Sequence, residues 1–278
     1  MRRFPLLGLL IVMVVCASTP ARAAQATQYY LALGDSLAQG VQPSAKGDLE
    51  TEQGYADDLF AVLRFVKPHL ALEKLGCPGE TSGSMISGGI CTYEQGSQLK
   101  AALAFLATHQ VDLITIDIGA NDVDGCVNVS TLSLDPACVE NGIETAGSNL
   151  AYILGALRQA AGKGTRIVGM NYYDPFLAAY STGATGQAVA AESLTAANTF
   201  NELLGSVYRA FGVPVADVAK EFHTNDTSVL SVVDLPANVF FVDTWTWMAA
   251  PPPLGPDIHA NAAGYVVIAV AFGKALEL

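Results

Sequence analysis

The sequence predicts an α/β protein whose parallel sheet is covered by helices on both faces. Short apolar runs bounded by turn residues alternate with longer segments of helical spacing, the pattern of successive strand–helix–strand units. The first such run, YYLAL, stops abruptly at Gly34-Asp35-Ser36-Leu37, as a buried parallel strand does when it enters a tight turn. No Gly/Ser- or Pro-rich linker and no internal repeat divides the 278 residues, so one domain accounts for the body of the chain.

Taken in order, residues 29–33 read as the first strand. Residues 54–65 follow as an amphipathic helix with Tyr55, Leu59, Val62 and Leu63 on one side. A weaker strand is expected at 70–75, a helix at 99–108 and a strong buried strand at 112–118. A long helix over 143–161 closes near Gly162 and Gly164. A strand at 166–171 then leads into a loop through Asp174-Pro175. A second long helix at 188–211, a fifth strand at 213–218 and a terminal helix at 262–276 complete the series.

The ends of the chain and its charge bound the setting. Arg2 and Arg3 precede an apolar run over residues 6–15, and Ala21-Arg22-Ala23 offers a small-x-small cleavage pattern. Residues 1–24 therefore read as a secretory signal peptide, the run being too short to span a bilayer. Residues 25–278 read as the exported domain. The formal net charge of −12 excludes phosphate-tracking nucleic-acid binding. No later apolar stretch reaches spanning length, so no stable membrane insertion is expected, and the domain is expected to act as a monomer.

Five cysteines occur, and Cys16 falls in the leader. The remaining four in an exported chain imply disulfides, with three possible pairings. The local choice, Cys77 with Cys91 and Cys126 with Cys138, closes two loops rich in Gly, Ser or Asn. Zinc fits poorly, because no Cys-x-x-Cys occurs.

Four segments beyond expected strand ends carry chemistry. In Gly34-Asp35-Ser36-Leu37 the lifted side chain is a serine hydroxyl, a potential nucleophile; alone, the tetrapeptide is also ordinary turn chemistry. In Cys77-Pro78-Gly79-Glu80-Thr81 a glycine can present its N–H to a ligand with no Cβ in the way. In Gly119-Ala120-Asn121-Asp122 an asparagine amide can donate to a developing oxyanion, although Asn-Asp also makes Asx turns readily. In Pro256-Asp257-Ile258-His259 an imidazole stands beside an acidic neighbour and a helix start, a suitable base for a serine.

In this order the four segments resemble the GDSL-type esterases and lipases of the SGNH hydrolase superfamily, over residues 31–265. The resemblance implies a three-layer α/β/α sandwich of flavodoxin-like type with five parallel strands. It implies Ser36 as nucleophile and His259 as general base. The oxyanion hole would comprise the N–H groups of Ser36 and Gly79 and the Asn121 amide. One departure stands out: the acid usually lies three residues before the histidine, where this chain has Pro256, and Asp257 lies two before it. Either Asp257 or a backbone carbonyl is then left to orient the ring.

The expected activity is that of a secreted carboxylesterase or lipase working on a small-molecule or lipid ester, with neither metal nor organic cofactor. A carbohydrate acetylesterase on the same fold, or a secreted binding protein without catalysis, are the alternatives. An ordinary α/β-hydrolase lacks support because no Gly-x-Ser-x-Gly occurs, and no Gly-x-Gly-x-x-Gly follows the first strand. The aromatics and prolines over residues 240–254, just before His259, suit either a pocket wall or a packing loop that positions the histidine. Tyr172, Tyr173 and Phe176 pose the same choice, with strand-end packing as the simpler reading.

Overall fold

Strands β1 (Gln28–Gly34), β2 (Leu70–Lys74), β3 (Gln110–Asp117), β4 (Arg166–Met170) and β5 (Val215–Ala216) pair in the order β2-β1-β3-β4-β5, every neighbour parallel. This computed structural model describes residues 27–128 and 131–278; the leader read over 1–24 lies outside them. The order is the flavodoxin-like one, and its switch point falls between β1 and β3, where ligands of open α/β sheets bind. Leu31, Leu33, Ile114, Ile116 and Val168 are buried along the central strands, as strands covered on both faces must be.

Helices α1 (Tyr55–Val66), α2 (Gln98–Thr108), α3 (Pro136–Ala160), α4 (Ala184–Ala210), α5 (Ala237–Trp245) and α6 (Ala262–Ala275) supply the cover. The outer layers are α1 with α6, and α2 with α3 and α4. Tyr55 of α1 stacks on Phe272 of α6 at 4.7 Å between ring centres. Of the residues read onto the inner side of α1, Tyr55, Leu59 and Leu63 are buried. Val62 is 54% exposed and belongs to the outer side.

Two further differences from the sequence reading have local causes. Helix α3 begins at Pro136 rather than 143. The Asp135 carboxylate accepts from Ala137 N and Cys138 N, and proline at the first helical position is pre-set for the turn. The 240–254 stretch is a helix in its first part, α5, and not a loop.

Both cysteine loops are closed in the local pairing, Cys77 to Cys91 and Cys126 to Cys138. The second bridge ties the start of α3 to a short hairpin in which Val127 pairs with Leu134.

Candidate active site

Gly34 ends β1 with φ +139°, and a Cβ there would lie 2.0 Å from the carbonyl oxygen of Asp117. Only glycine tolerates both the dihedral and the approach, so β1 and β3 close together at their carboxyl ends. Asp35 N–H donates to that same carbonyl (3.1 Å). The Asp35 carboxylate accepts from Leu37 N (2.9 Å) and the Tyr172 hydroxyl (3.3 Å). These bonds start a single helical turn, Ser36–Gln39, with Ser36 as its first residue. Ser36 is 8% exposed.

A buried glutamine, unremarked in the sequence, fixes this turn to the next loop. Gln98 accepts from Gly34 N (2.7 Å), and its amide donates to Gly34 O (2.8 Å) and to the Glu80 carboxylate (3.0 Å). The Gly79-Glu80 loop is also held by Cys77 N donating to Gly34 O (3.1 Å). Gly79 has φ +79° with open space where a Cβ would stand.

Asn121 follows β3 in a turn of 3₁₀ helix, and its amide donates to Glu80 O (3.0 Å). An amide nitrogen carries two N–H groups, which leaves one for a ligand. Asp122 beside it accepts from Ser82 N and Ser82 Oγ, both at 2.8 Å. Asn121 and Asp122 thus latch the loop after β2 to the loop after β3.

His259 is 9% exposed, and Asp257 reaches it from two residues back. One Asp257 oxygen accepts from the His259 N–H (2.9 Å) and lies 2.7 Å from ring Nδ1. A two-residue Asx-type turn therefore does what the usual three-residue spacing would do. The segment after α5 holds this turn in place: Trp247 N donates to His259 O (3.0 Å) and Asp257 N to Trp247 O (3.2 Å). Tyr173 adds a hydroxyl bond to Ile258 O (2.7 Å). The 240–254 stretch thus positions the histidine, and none of its residues lines the cavity described next.

Ser36, Asn121 and His259 line one cavity that is open to solvent. Asp35, Asp124 and Asp174 also line it, together with an apolar set: Val127, Leu134, Val139, Ile143 and Phe200. Tyr172, Tyr173 and Phe176 are buried and line it too, so they both pack and shape the site. Gly79 is not among the lining residues, and no hydrogen bond joins Ser36 to His259 among the described residues. Such bonds are often loose in free enzymes and tighten with substrate.

The charges around the ring oppose one another. Burial pulls the His259 pKa down. The hydrogen bond and charge of Asp257, with the charges of Asp48 and Asp35, outweigh that and hold it above the ordinary value. Burial pushes Asp257 up, but its bonds to His259 win and its pKa is lowered. Burial, then the Asp35 charge, push Asp117 well up; its carboxyl accepts from Asp35 N and from the Tyr55 hydroxyl. Burial with the charges of Asp35 and Asp174 pushes Asp124 up to about 8. Asp48, on the exposed strand Gly47–Leu49, brings a carboxylate within 4.8 Å of the ligand atoms of Asp257 and His259. That trio could hold a cation, although Asp257 and the ring already bond each other.

Comparison with known proteins agrees with the fold. The model of the GDSL-like lipase/acylhydrolase family matches residues 32–236, which takes in the Ser36, Gly79 and Asn121 segments and stops before His259. An extracellular lipase from Streptomyces rimosus superposes with a TM-score of 0.55 at 18% identity, covering 90% of this chain and 98% of its own. A phospholipase A1 from Streptomyces albidoflavus gives 0.54 at 18%, covering 91% and 99%. A mutant acetyl-xylooligosaccharide esterase from Geobacillus gives 0.53 at 15%, covering 91% and 95%. No curated protein matches the sequence.

Proposed function

Because the chain belongs to the GDSL-like lipase/acylhydrolase family, we propose that it is a secreted serine ester hydrolase that works through an acyl-enzyme on Ser36. The observation that carries the reading is the meeting of Ser36, Asn121 and an Asp257-held His259 on one cavity. His259 Nε2 takes the hydroxyl proton as Ser36 Oγ attacks the ester carbonyl. The N–H groups of Ser36 and Gly79 and the free amide N–H of Asn121 hold the tetrahedral oxyanion, each worth about 10²–10³ in rate. His259 then protonates the leaving alcohol, and a water repeats the sequence on the acyl-enzyme. Asp257 accepts from Nδ1 throughout, which fixes the tautomer and balances the imidazolium.

The apolar lining of Val127, Leu134, Val139, Ile143 and Phe200 favours an acyl chain longer than acetate over a sugar alcohol, so a carboxylesterase or lipase is preferred to a carbohydrate acetylesterase. Export is supported by the two disulfides.

Ser36→Ala and His259→Ala are expected to abolish hydrolysis of p-nitrophenyl butyrate with the circular dichroism spectrum unchanged. A fluorophosphonate should label Ser36 in the wild type, as read by peptide mass spectrometry. Labelling elsewhere, or full activity in either variant, overturns the assignment.

A further inference from the structure

The active-site cavity has an apolar wall that it shares with a second recess. Leu134, Val139, Ile143 and Ala196 line the cavity, and the same four residues also line a separate groove on the outside of the molecule between α3 and α4. Each of these side chains therefore has the active-site cavity on one flank and the outer groove on the other. Val139 and Ile143 are buried on α3, and Ala196 comes from the facing side of α4. Leu134 comes from the hairpin that the Cys126–Cys138 bridge fastens to α3. The rim of the outer groove is carried by Glu140, Glu144, Glu192, Thr195 and Thr199.

We propose that Leu134, Val139, Ile143 and Ala196 form a partition one side chain thick that sets acyl-chain length, so that the enzyme takes short- and medium-chain acyl esters. The proposal rests on the ester-hydrolase reading and deepens it. An acyl chain attached to Ser36 runs along the apolar wall and must end where the partition begins. A longer chain has to force side chains out of a packed contact, and interiors close-packed to crystal density yield poorly to that. Removing the partition joins the cavity to the outer groove, and the methyl end of a long chain then passes between α3 and α4.

The experiment measures kcat/KM for p-nitrophenyl butyrate, octanoate, dodecanoate and hexadecanoate in the wild type, Ile143→Ala, Leu134→Ala and Ala196→Phe. In the wild type, dodecanoate and hexadecanoate should fall at least roughly tenfold below the best shorter ester, the discrimination a hydrophobic pocket gives for excess methylenes. Ile143→Ala and Leu134→Ala should raise the dodecanoate-to-butyrate ratio roughly tenfold, while Ala196→Phe lowers the octanoate-to-butyrate ratio. Leu134 sits in the hairpin and not in a helix, so it serves if Ile143→Ala fails to fold. An unaltered ratio in the folded truncations, or a wild type that prefers hexadecanoate, overturns the partition and leaves the ester-hydrolase reading standing. Failure of the wild type to cleave any ester overturns both.

Discussion

Asp257 occupies a position where a reader of the sequence would hesitate, and its geometry explains why two residues of separation suffice. The same carboxylate oxygen caps the His259 backbone N–H and lies 2.7 Å from Nδ1, so chain direction and ring orientation are set by one atom. Asp257→Asn would put an amide where a carboxylate balances the imidazolium, and kcat should fall roughly 10²–10⁴-fold by analogy with other triads. The titration should move as well. Asp257 is the leading group that holds the His259 pKa up against burial. Without it the acid limb of kcat/KM, which reports the free enzyme's base, should shift to lower pH. Asp48→Asn should shift the limb in the same direction by less, because Asp48 is exposed and acts on the ring through its charge alone. The Asp48 effect should fade in high salt, as exposed charge interactions do, while the Asp257 effect persists. An acid limb that stays put in Asp257→Asn would show that another group orients the ring.

At the level of elements, the site depends on loops tied to one another more than on any single helix. Gln98, at the start of α2, satisfies both backbone groups of Gly34 and one oxygen of Glu80. Gln98→Leu would orphan the buried Gly34 N–H and a buried Glu80 carboxylate oxygen, each costing about 1–3 kcal/mol, while Gly34 O keeps its bond from Cys77 N. The expected loss is a sum of at least about 2 kcal/mol in urea unfolding, with a fall in kcat larger than any change in KM as the Ser36 turn loosens. Full stability in Gln98→Leu would mean that water satisfies these groups. Gln98 was invisible in the sequence because its partners lie 64 and 18 residues away, and nothing local distinguishes a buried clamp from a helix-start glutamine. The strands and long helices were legible because alternation of apolar runs is local. The 240–254 stretch was legible only as aromatic and proline-rich, since α5 carries no clear apolar stripe. The Ser36, Asn121 and His259 segments were legible because each follows a strand end or opens a helix, where local turn chemistry is readable. The acidic company of the cavity was not: Asp35 meets Asp117 across 82 residues, and Asp124 and Asp174 come together only in the fold.

For the molecule as a whole, the acids of the cavity set stability and activity against each other along the pH axis. Asp124 and Asp174 are pushed up to about 8 and about 6 by burial. A carboxyl held neutral in the fold binds more protons there than in the unfolded chain, so stability falls as pH rises from about 4 through those folded values. His259, raised, contributes stability that is full below about pH 6.5 and is lost as pH climbs through its folded pKa. Asp257, lowered, contributes stability present above about pH 3.9 and lost only as pH falls through its folded pKa. A net charge of −12 adds self-repulsion on the alkaline side. Together these point to a melting temperature that is highest near about pH 4 and declines toward pH 9, at about 2–4 °C per kcal/mol for a chain of this size. The proposed mechanism requires His259 neutral, so its optimum should lie on the alkaline side of the stability maximum, where the fold is already weakening. Calorimetry across pH 4–9 on the wild type and Asp124→Asn tests this, because the asparagine cannot ionise and should flatten the alkaline decline. A melting temperature that climbs steadily to pH 9, or an Asp124→Asn curve parallel to the wild type, would show that the acidic cavity does not govern the pH response.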